Sequence, residues 1–520
     1  VTTAWTSNVP EHETPVFLYR LWTAFAGGPD RVSVARPGST GPLSIATPRW
    51  VKDGDELASF EFYGQAGVVT TPELVIAVGY QVSGERPTNS MGQDSIVAFR
   101  RVDGSVAWTA PAPIALLDSW STPCVDVINN TLLVTAGARL IAYSLVDGST
   151  AWSTNLDRIV VNASPVVTYD LPMRNRAFIT DHSFASGGTG RLYCINVSPR
   201  HPVFNPFDEG QIVWTVDLGG QTSGNTPAYR EGVVYVSTAT GGSTWDQGTV
   251  KAYPAASNAA PQPLWVYEHT DPTGFFSGVA VRAGGVYGST YSFHGGQFSA
   301  STVRLDRWTG VQRWSVATNR TDTVPVPMGN GYVLVSGGVP YTAMFPVFGS
   351  LPSLQLIRET PGGGSAVLLW DSATDTLQDF NQDGGWNPGE PYLSIGGWTN
   401  QPVAVERAGG TPAVFLGTTP NTSKDGFFGH SRSMVMVDLT KTPTQPGFVA
   451  ESTPDCGGSP GVVGTELYAV GADGVYAFGA PSWPRGQVIA RWLNQTLPDF
   501  NGDGTLDWAD FGLALQYAED

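Results

Sequence analysis

The stretch DSIVAFRRVDGSVAW at residues 94–108 returns as RLIAYSLVDGSTAW at residues 139–152. Ile96-Val97-Ala98-Phe99 matches Leu140-Ile141-Ala142-Tyr143, Asp103-Gly104 matches Asp147-Gly148, and Trp108 matches Trp152. The Asp-Gly pairs lie 44 residues apart, and so do the tryptophans. Each copy reads as strand, tight turn, strand, because alternating apolar residues flank a turn whose Gly is free to take positive φ. A repeat of this period outweighs any single residue in deciding the fold class.

Looser copies follow. Leu192-Tyr193-Cys194-Ile195 leads to Ile212-Val213-Trp214, and Val250-Lys251-Ala252-Tyr253 leads to Leu264-Trp265. Val303-Arg304-Leu305-Asp306 passes through Thr309-Gly310 to Trp314, and Leu368-Leu369-Trp370 ends another unit. A short Thr-Pro or Ser-Pro pair precedes most copies, as at Thr122-Pro123, Ser164-Pro165, Thr226-Pro227 and Ser459-Pro460. Each unit holds four short strands in about 40–60 residues, the size of a propeller blade. A lone blade cannot bury both faces, whereas blades packed in a ring can. The recurring tryptophans are therefore read as packing between neighbours.

The pattern resembles the repeat of the PQQ-like (quinoprotein) β-propeller family, over residues 65–480. Seven consecutive units are present, and an incomplete one, SPGVVGTELYAVGADGVYAFG, covers 459–479 without a closing tryptophan. In that family a strand from the other end of the chain commonly closes the ring. Pro48-Arg49-Trp50-Val51 is the candidate here, with Trp50 in the vacant position. The expected fold is all-β, an eight-bladed β-propeller with seven blades as the alternative, followed by a small C-terminal helix–calcium loop–helix. The expected domains are an N-terminal extension at 1–37, the propeller at 38–480 and a tail at 481–520.

Composition agrees with many short strands and turns: 62 Gly, 39 Pro, 17 Trp, 18 Tyr and 23 Phe in 520 residues. The net charge is −17, and lysine occurs only at 52, 251, 424 and 441. Without a basic stripe no nucleic-acid partner is expected, and an acidic surface discourages anionic membranes. No apolar run is long enough to span a bilayer. The chain opens with Val1, which is read as a mature form after removal of an export signal. Cys124, Cys194 and Cys456 are far apart and form no CxxC. They are read as buried thiols, with one bridging pair as the alternative in an oxidising compartment.

Two acidic stretches carry the clearest chemistry. Asp379, Asn381, Asp383, Asn387 and Glu390 fall at positions 1, 3, 5, 9 and 12 of a twelve-residue loop, with Gly384 at position 6. Gly385 at position 7 supplies a carbonyl. Calcium takes six to eight oxygens, and a sharply turned loop gathers them from so short a span. The second loop offers Asp499, Asn501, Asp503, the Thr505 carbonyl, Asp507 and Asp510. It resembles a type I dockerin repeat, in which the loop runs into a helix, here 508–517. A dockerin carries two such loops in tandem and this tail has one, so cohesin binding is not implied. Two structural Ca²⁺ sites are expected. Extracellular calcium modules bind at about 10⁻⁴–10⁻³ M, which suits a secreted or cell-surface protein.

The resemblance also brings an enzymatic precedent, the quinone-dependent dehydrogenases. These hold the quinone on the propeller axis, often against a vicinal disulfide, with a catalytic carboxylate and a calcium ion. This chain has no Cys-Cys pair, and its calcium loops are continuous rather than assembled from distant residues. No residue carries over as a catalytic base. The six histidines (12, 182, 201, 269, 294 and 430) show no metal-ligand spacing. The expected role is a non-catalytic structural or protein-interaction module, with protein partners or self-association into a surface layer or filament, and glycan as a further ligand class. Long insertions at 196–211, 338–365 and 415–430 would supply contacts. Residues 15–25 read as strand-like, fit either to close their own ring or to pair with a neighbour. The alternative is a quinone-dependent dehydrogenase or a carbohydrate-active enzyme.

Overall fold

In the computed structural model, the described residues are 21–481 and Leu493, except 37–38, 54–59, 62–66, 84–85, 88–93, 113–120, 241–246, 293–294, 340–349, 385–386, 388–389, 407–411, 419–432 and 472–473. Each repeat unit is a four-stranded antiparallel sheet, and there are eight of them. Within a blade the strands run in chain order from the axis outwards, here called inner, second, third and outer. Blade 2 shows the plan: Cys124–Asp126, Thr131–Thr135, Arg139–Ser144 and Thr150–Asn155. Blade 1 starts at Val69–Thr70, blade 3 at Val166–Val167, blade 4 at Ala228–Arg230 and blade 5 at Val279–Arg282. Blade 6 starts at Val326–Pro327, blade 7 at Val403–Val405 and blade 8 at Gly461–Val463. A small extra sheet of Phe60–Glu61, Tyr80–Ser83 and Arg86–Pro87 lies beside blade 1 in the chain.

Blade 8 closes the ring with a strand from the opposite end of the chain. Trp50–Asp53 pairs with Gly474–Phe478, and Trp50 stands opposite Ala477. Trp108 stands opposite Ala98 and Trp152 opposite Ala142 in their own blades, so Trp50 fills the repeat position read from the sequence. A buried ion pair reinforces the seam. Arg101 of blade 1 donates to Glu466 Oε2 of blade 8, while Arg49 Nη2 reaches Glu466 Oε1 at 2.8 Å. Arg307 binds the half-exposed Glu231 at 2.7 Å between blades 5 and 4. The seam is thus built as an ordinary blade interface.

The tryptophans do more than fill space. Each docks on the turn between the third and outer strands of the next blade. Nε1 of Trp50 donates to the Arg101 carbonyl at 3.0 Å, that of Trp108 to Leu145 at 3.1 Å, and that of Trp265 to Arg307 at 3.0 Å. The Asp-Gly turn is what makes room. Gly148 has φ 73°, and a Cβ there would stand 2.6 Å from Trp108 Cε3. The residue that permits the turn is therefore also the one that accepts the indole. Blade 7 departs from the pattern: Glu451 occupies the tryptophan position opposite Met436. Its carboxylate accepts from Ser44 Oγ at 2.8 Å and Ile45 N at 2.6 Å, gripping the chain that leads to Trp50.

The Thr-Pro and Ser-Pro pairs form a second ring, nearer the axis. Gly67 N donates to Thr122 Oγ1, Thr122 N to Ser164 Oγ, and Ser164 N to Thr226 Oγ1, at 3.0, 2.9 and 3.1 Å. Across the ring, Val324 N donates to Gln401 Oε1 at 2.9 Å and Gln401 N to Ser459 Oγ at 3.3 Å. Each hydroxyl or amide satisfies a backbone N–H of the preceding blade. Such a buried donor would otherwise cost about 1–3 kcal/mol.

Residues 21–36 lie outside the repeat but inside the ring. Thr70 N donates to Trp22 O, Val125 N to Thr23 O, Tyr229 N to Pro29 O and Val281 N to Asp30 O, all within 2.7–2.8 Å. Val34 bridges Ala404, Phe25 and Ala26 pack on Val324, and Trp22 covers Gly461. Arg31, fully buried, donates to Phe25 O, Ser164 O, Pro165 O and Pro227 O. The segment thus meets all eight blades at or next to their inner strands, the strands that border the axis. Three non-glycine residues hold left-handed backbone there: Ala26 at φ 53°, Arg31 at 58° and Ser33 at 51°. Burial lowers the Arg31 pKa to about 10, and its carbonyl cage offers no side-chain carboxylate. Replacing Arg31 with Ala leaves those carbonyls sealed without a donor. The expected loss is on the order of 3 kcal/mol or more, read as a lower denaturant midpoint, with Arg31→Lys in between. An unchanged midpoint in Arg31→Ala would contradict the axial role.

Candidate functional site

The first acidic loop leaves the outer strand of blade 6, Ala366–Asp371, and returns to the inner strand of blade 7. Its donors turn inward on one another. Asp379 accepts from Asp383 N at 3.2 Å through Oδ1 and from Gly384 N at 2.9 Å through Oδ2. Asp383 Oδ2 accepts from Asn387 Nδ2 at 2.7 Å and from Asn381 Nδ2 at 3.1 Å. Glu390 folds back to accept from Phe380 N at 2.8 Å, Asn381 N at 3.1 Å and Asn387 N at 2.6 Å. Gln382 at φ 60° and Gly384 at φ 94° make the sharp bend. Of the five side chains, Asp383 meets Asn381 and Asn387, while Asp379 and Glu390 bind backbone N–H groups of the same loop. Gly385 lies outside the described residues, as do Asp499, Asn501, Asp503, Thr505, Asp507 and Asp510. Among the described residues, no three His, Cys, Asp or Glu side chains gather as a metal-binding group.

The other concentration of unusual groups stands where the axis opens between the second–third loops and the crossings from blade to blade. Phe184, Phe276, Tyr291 and Trp398 form a chain of rings with centroids 6.0, 5.7 and 6.0 Å apart. They come from blade 3, the 4-to-5 crossing, blade 5 and the 6-to-7 crossing, so the chain spans the mouth. Arg320 lies over Tyr291 at 5.6 Å. Asp322 binds the Trp398 carbonyl through its backbone N–H at 2.8 Å. Its Oδ1 is sealed from solvent with no hydrogen-bond partner, although the residue keeps part of its surface open. Burial pushes its carboxyl up to about 7, against the pull of Arg320. These residues follow no period in the sequence, and only their meeting at the axis distinguishes them. Arg31 was equally hidden, since nothing near it repeats.

All three cysteines are free and buried. Burial pushes the thiols of Cys124 and Cys456 up to about 12, and that of Cys194 upward as well. No thiol lies ready for redox chemistry, and the buried-thiol reading holds over the bridged one. Among the described residues, no helix is long and apolar enough to cross a membrane.

No family model and no curated protein matches this sequence. Solved structures do match. BamB from Moraxella catarrhalis is similar with a TM-score of 0.51 at 13% identity, over 84% of this chain and 97% of that one. A europium-containing methanol dehydrogenase is similar with a TM-score of 0.52 at 11% identity, over 96% and 95%. This chain shares their fold. At such identities the likeness extends to the eight-bladed architecture of the quinoprotein type and no further.

The Asp322 carboxyl has a clear pH signature. Its folded pKa stands above the unfolded value of about 3.9, so between the two the folded state holds more protons than the unfolded. Its contribution is full below that unfolded value and is lost as pH rises through about 7. Asp322→Asn should therefore flatten the pH dependence of stability and raise the melting temperature at pH 8. Parallel melting curves from pH 5 to 8 that coincide for both proteins would discard this assignment.

Proposed function

We propose that this chain is a non-catalytic, calcium-stabilised extracellular β-propeller that acts as a structural or protein-interaction module. One observation carries the reading: the axis is taken by the chain's own residues 21–36, with Arg31 in the carbonyl cage. A quinone bound as the family resemblance implies would need that axis. The ring chain of Phe184, Phe276, Tyr291 and Trp398 crosses the opposite mouth. The described residues therefore fit a quinone poorly, and no step is routed through one. Incubation with pyrroloquinoline quinone and calcium, followed by dialysis, should leave no bound quinone absorbance and no dye reduction with alcohols. One retained equivalent per chain together with turnover would replace this reading with the dehydrogenase.

Calcium fits the loop at Asp379, Asn381, Asp383, Asn387 and Glu390, with the Gly385 carbonyl completing the set. The ion would neutralise three carboxylates and hold the long insert between blades 6 and 7. The tail, with Asp499, Asn501, Asp503, Thr505, Asp507 and Asp510, is proposed as a second site of dockerin-like type. Weak calcium loops of this kind are filled outside cells, which supports a secreted or cell-surface location. Calcium at about one hundred times Kd should stabilise the chain by about 2.7 kcal/mol per site. Melting in calcium and in EGTA should differ for the wild type, and the difference should shrink in Asp379→Asn/Glu390→Gln. Equal melting of the wild type in both buffers would remove calcium from the account.

A further inference from the structure

Six N-x-[ST] sequons, the acceptor motif for N-linked sugar, occur in the chain, at Asn129, Asn162, Asn196, Asn319, Asn421 and Asn494. Asn421 and Asn494 lie outside the described residues. The fold treats the other four unequally. A linked sugar replaces one of the two hydrogens on the amide nitrogen Nδ2 and needs open space beyond it. An asparagine sealed in the core has no such space. One that spends both amide hydrogens on buried acceptors would also leave an acceptor without its donor.

Three of the four are closed. Asn196 ends the third strand of blade 3 and is fully buried. Its Nδ2 donates to Ser198 O at 2.7 Å and to Phe207 O and Asp208 O at 3.0 Å, which uses both hydrogens. Its Oδ1 accepts from Arg176. Asn319, in the crossing from blade 5 to blade 6, is also fully buried. Its Nδ2 donates to Ser353 Oγ at 2.8 Å and to Asp371 Oδ2 at 3.2 Å. Asn162, in the crossing from blade 2 to blade 3, is 7% exposed.

Asn129 differs from all three. It is partly exposed, in the turn 127–130 between the inner and second strands of blade 2, and its neighbours Ile128 and Asn130 are exposed. Buried Asp126 caps this turn. Its Oδ1 accepts from Ile128 N at 3.1 Å and Asn129 N at 3.2 Å, and its Oδ2 accepts from Asn129 Nδ2 at 2.6 Å. The Asn129 amide thus spends one hydrogen and keeps the other. A glycosylated Nδ2 still carries one hydrogen, so the bond to Asp126 survives the modification. We propose that Asn129 is the N-glycosylation site of the described ring, and that Asn162, Asn196 and Asn319 must stay bare for the chain to fold. The sugar donor is an oligosaccharide linked to a lipid pyrophosphate. Nδ2 attacks its anomeric C1, the C1–N bond forms as the C1–O bond to pyrophosphate breaks, and the amide proton passes to the transferase. The proposal rests on the extracellular reading, because such transferases meet chains during export.

The test is expression of the full chain behind a secretion signal in a host that N-glycosylates, followed by peptide mapping of the secreted and the retained chains. Secreted chains should carry sugar at Asn129 and none at Asn162, Asn196 or Asn319. Asn129→Gln should lose that sugar and still be secreted. Secreted chains bare at Asn129, or secreted chains with sugar at any of the three buried positions, would overturn the proposal. Should nothing be secreted, the retained chains decide. Sugar at Asn196 or Asn319 in them upholds the exclusion, and retained chains bare at both overturn it. Secreted chains bare at Asn129 that still melt higher in calcium than in EGTA would sink the sugar site alone. Chains with sugar at Asn129 that melt equally in both buffers would keep the site and sink the calcium reading.

Discussion

Eight inner strands converge on one axis, and each brings backbone N–H and C=O groups that have no partner in their own blade. Water in a narrow axial channel is one way to satisfy them, and a threaded peptide is another. This chain uses the peptide. Residues 21–36 supply carbonyls to the inner strands of blades 1, 2, 4 and 5 and pair along blade 7, while Arg31 collects the carbonyls of blades 3 and 4. Unsatisfied buried backbone groups are rare because each costs free energy comparable to a hydrogen bond. The left-handed backbone at Ala26, Arg31 and Ser33 is tolerated because the surrounding ring dictates it. Once the axis is spent on this purpose, the chain's own residues line it.

Moving outward, the ring is held by layers that repeat at different radii. The hydroxyls of Thr122, Ser164, Thr226 and Ser459 join blades near the axis, and the tryptophans join them near the rim. Ion pairs such as the buried Arg101–Glu466 and the half-exposed Arg307–Glu231 also join neighbouring blades. The charged pairs are costly to desolvate, and replacing them with apolar residues is often neutral. Their value here is register, since each arginine selects one glutamate on one neighbour. The same device at the 8-to-1 seam lets a strand from residues 50–53 finish a blade begun more than four hundred residues later.

With the axis filled, what the molecule offers to the outside is its faces and inserts. The face of the inner–second and third–outer turns carries exposed apolar side chains such as Val146, Val203, Phe204 and Trp308. The other carries the crossings, including the acidic loop at 379–390 that folds its carboxylates onto its own backbone N–H groups. The apolar loop at Val203 and Phe204 is pinned from below by Arg176, a buried cation held by Asn196, Asn205 and Asn258 rather than by a carboxylate. Rigid presentation reduces the entropy that an interaction must overcome.

The repeat made the blade legible, because Asp-Gly turns and closing tryptophans are local signals that recur wherever the local problem recurs. Even the ring closure was legible, since one unit lacked its tryptophan and Trp50 was left over. The bend of the acidic loop was legible for the same reason, since Gly384 at φ 94° and the carboxylate of Asp379 that caps it lie within a few residues of each other. Residues 21–36 were not, nor were Arg31, Asp322 and the ring chain ending in Trp398. Their partners lie tens to hundreds of residues away on different blades, and nothing periodic marks them. The role of the Thr-Pro and Ser-Pro pairs also stayed hidden, because a hydroxyl's partner across a blade interface exists only after the ring has closed. Sequence alone determined what each blade is. Tertiary structure alone decided what fills the space where all eight meet, because that space belongs to no single blade.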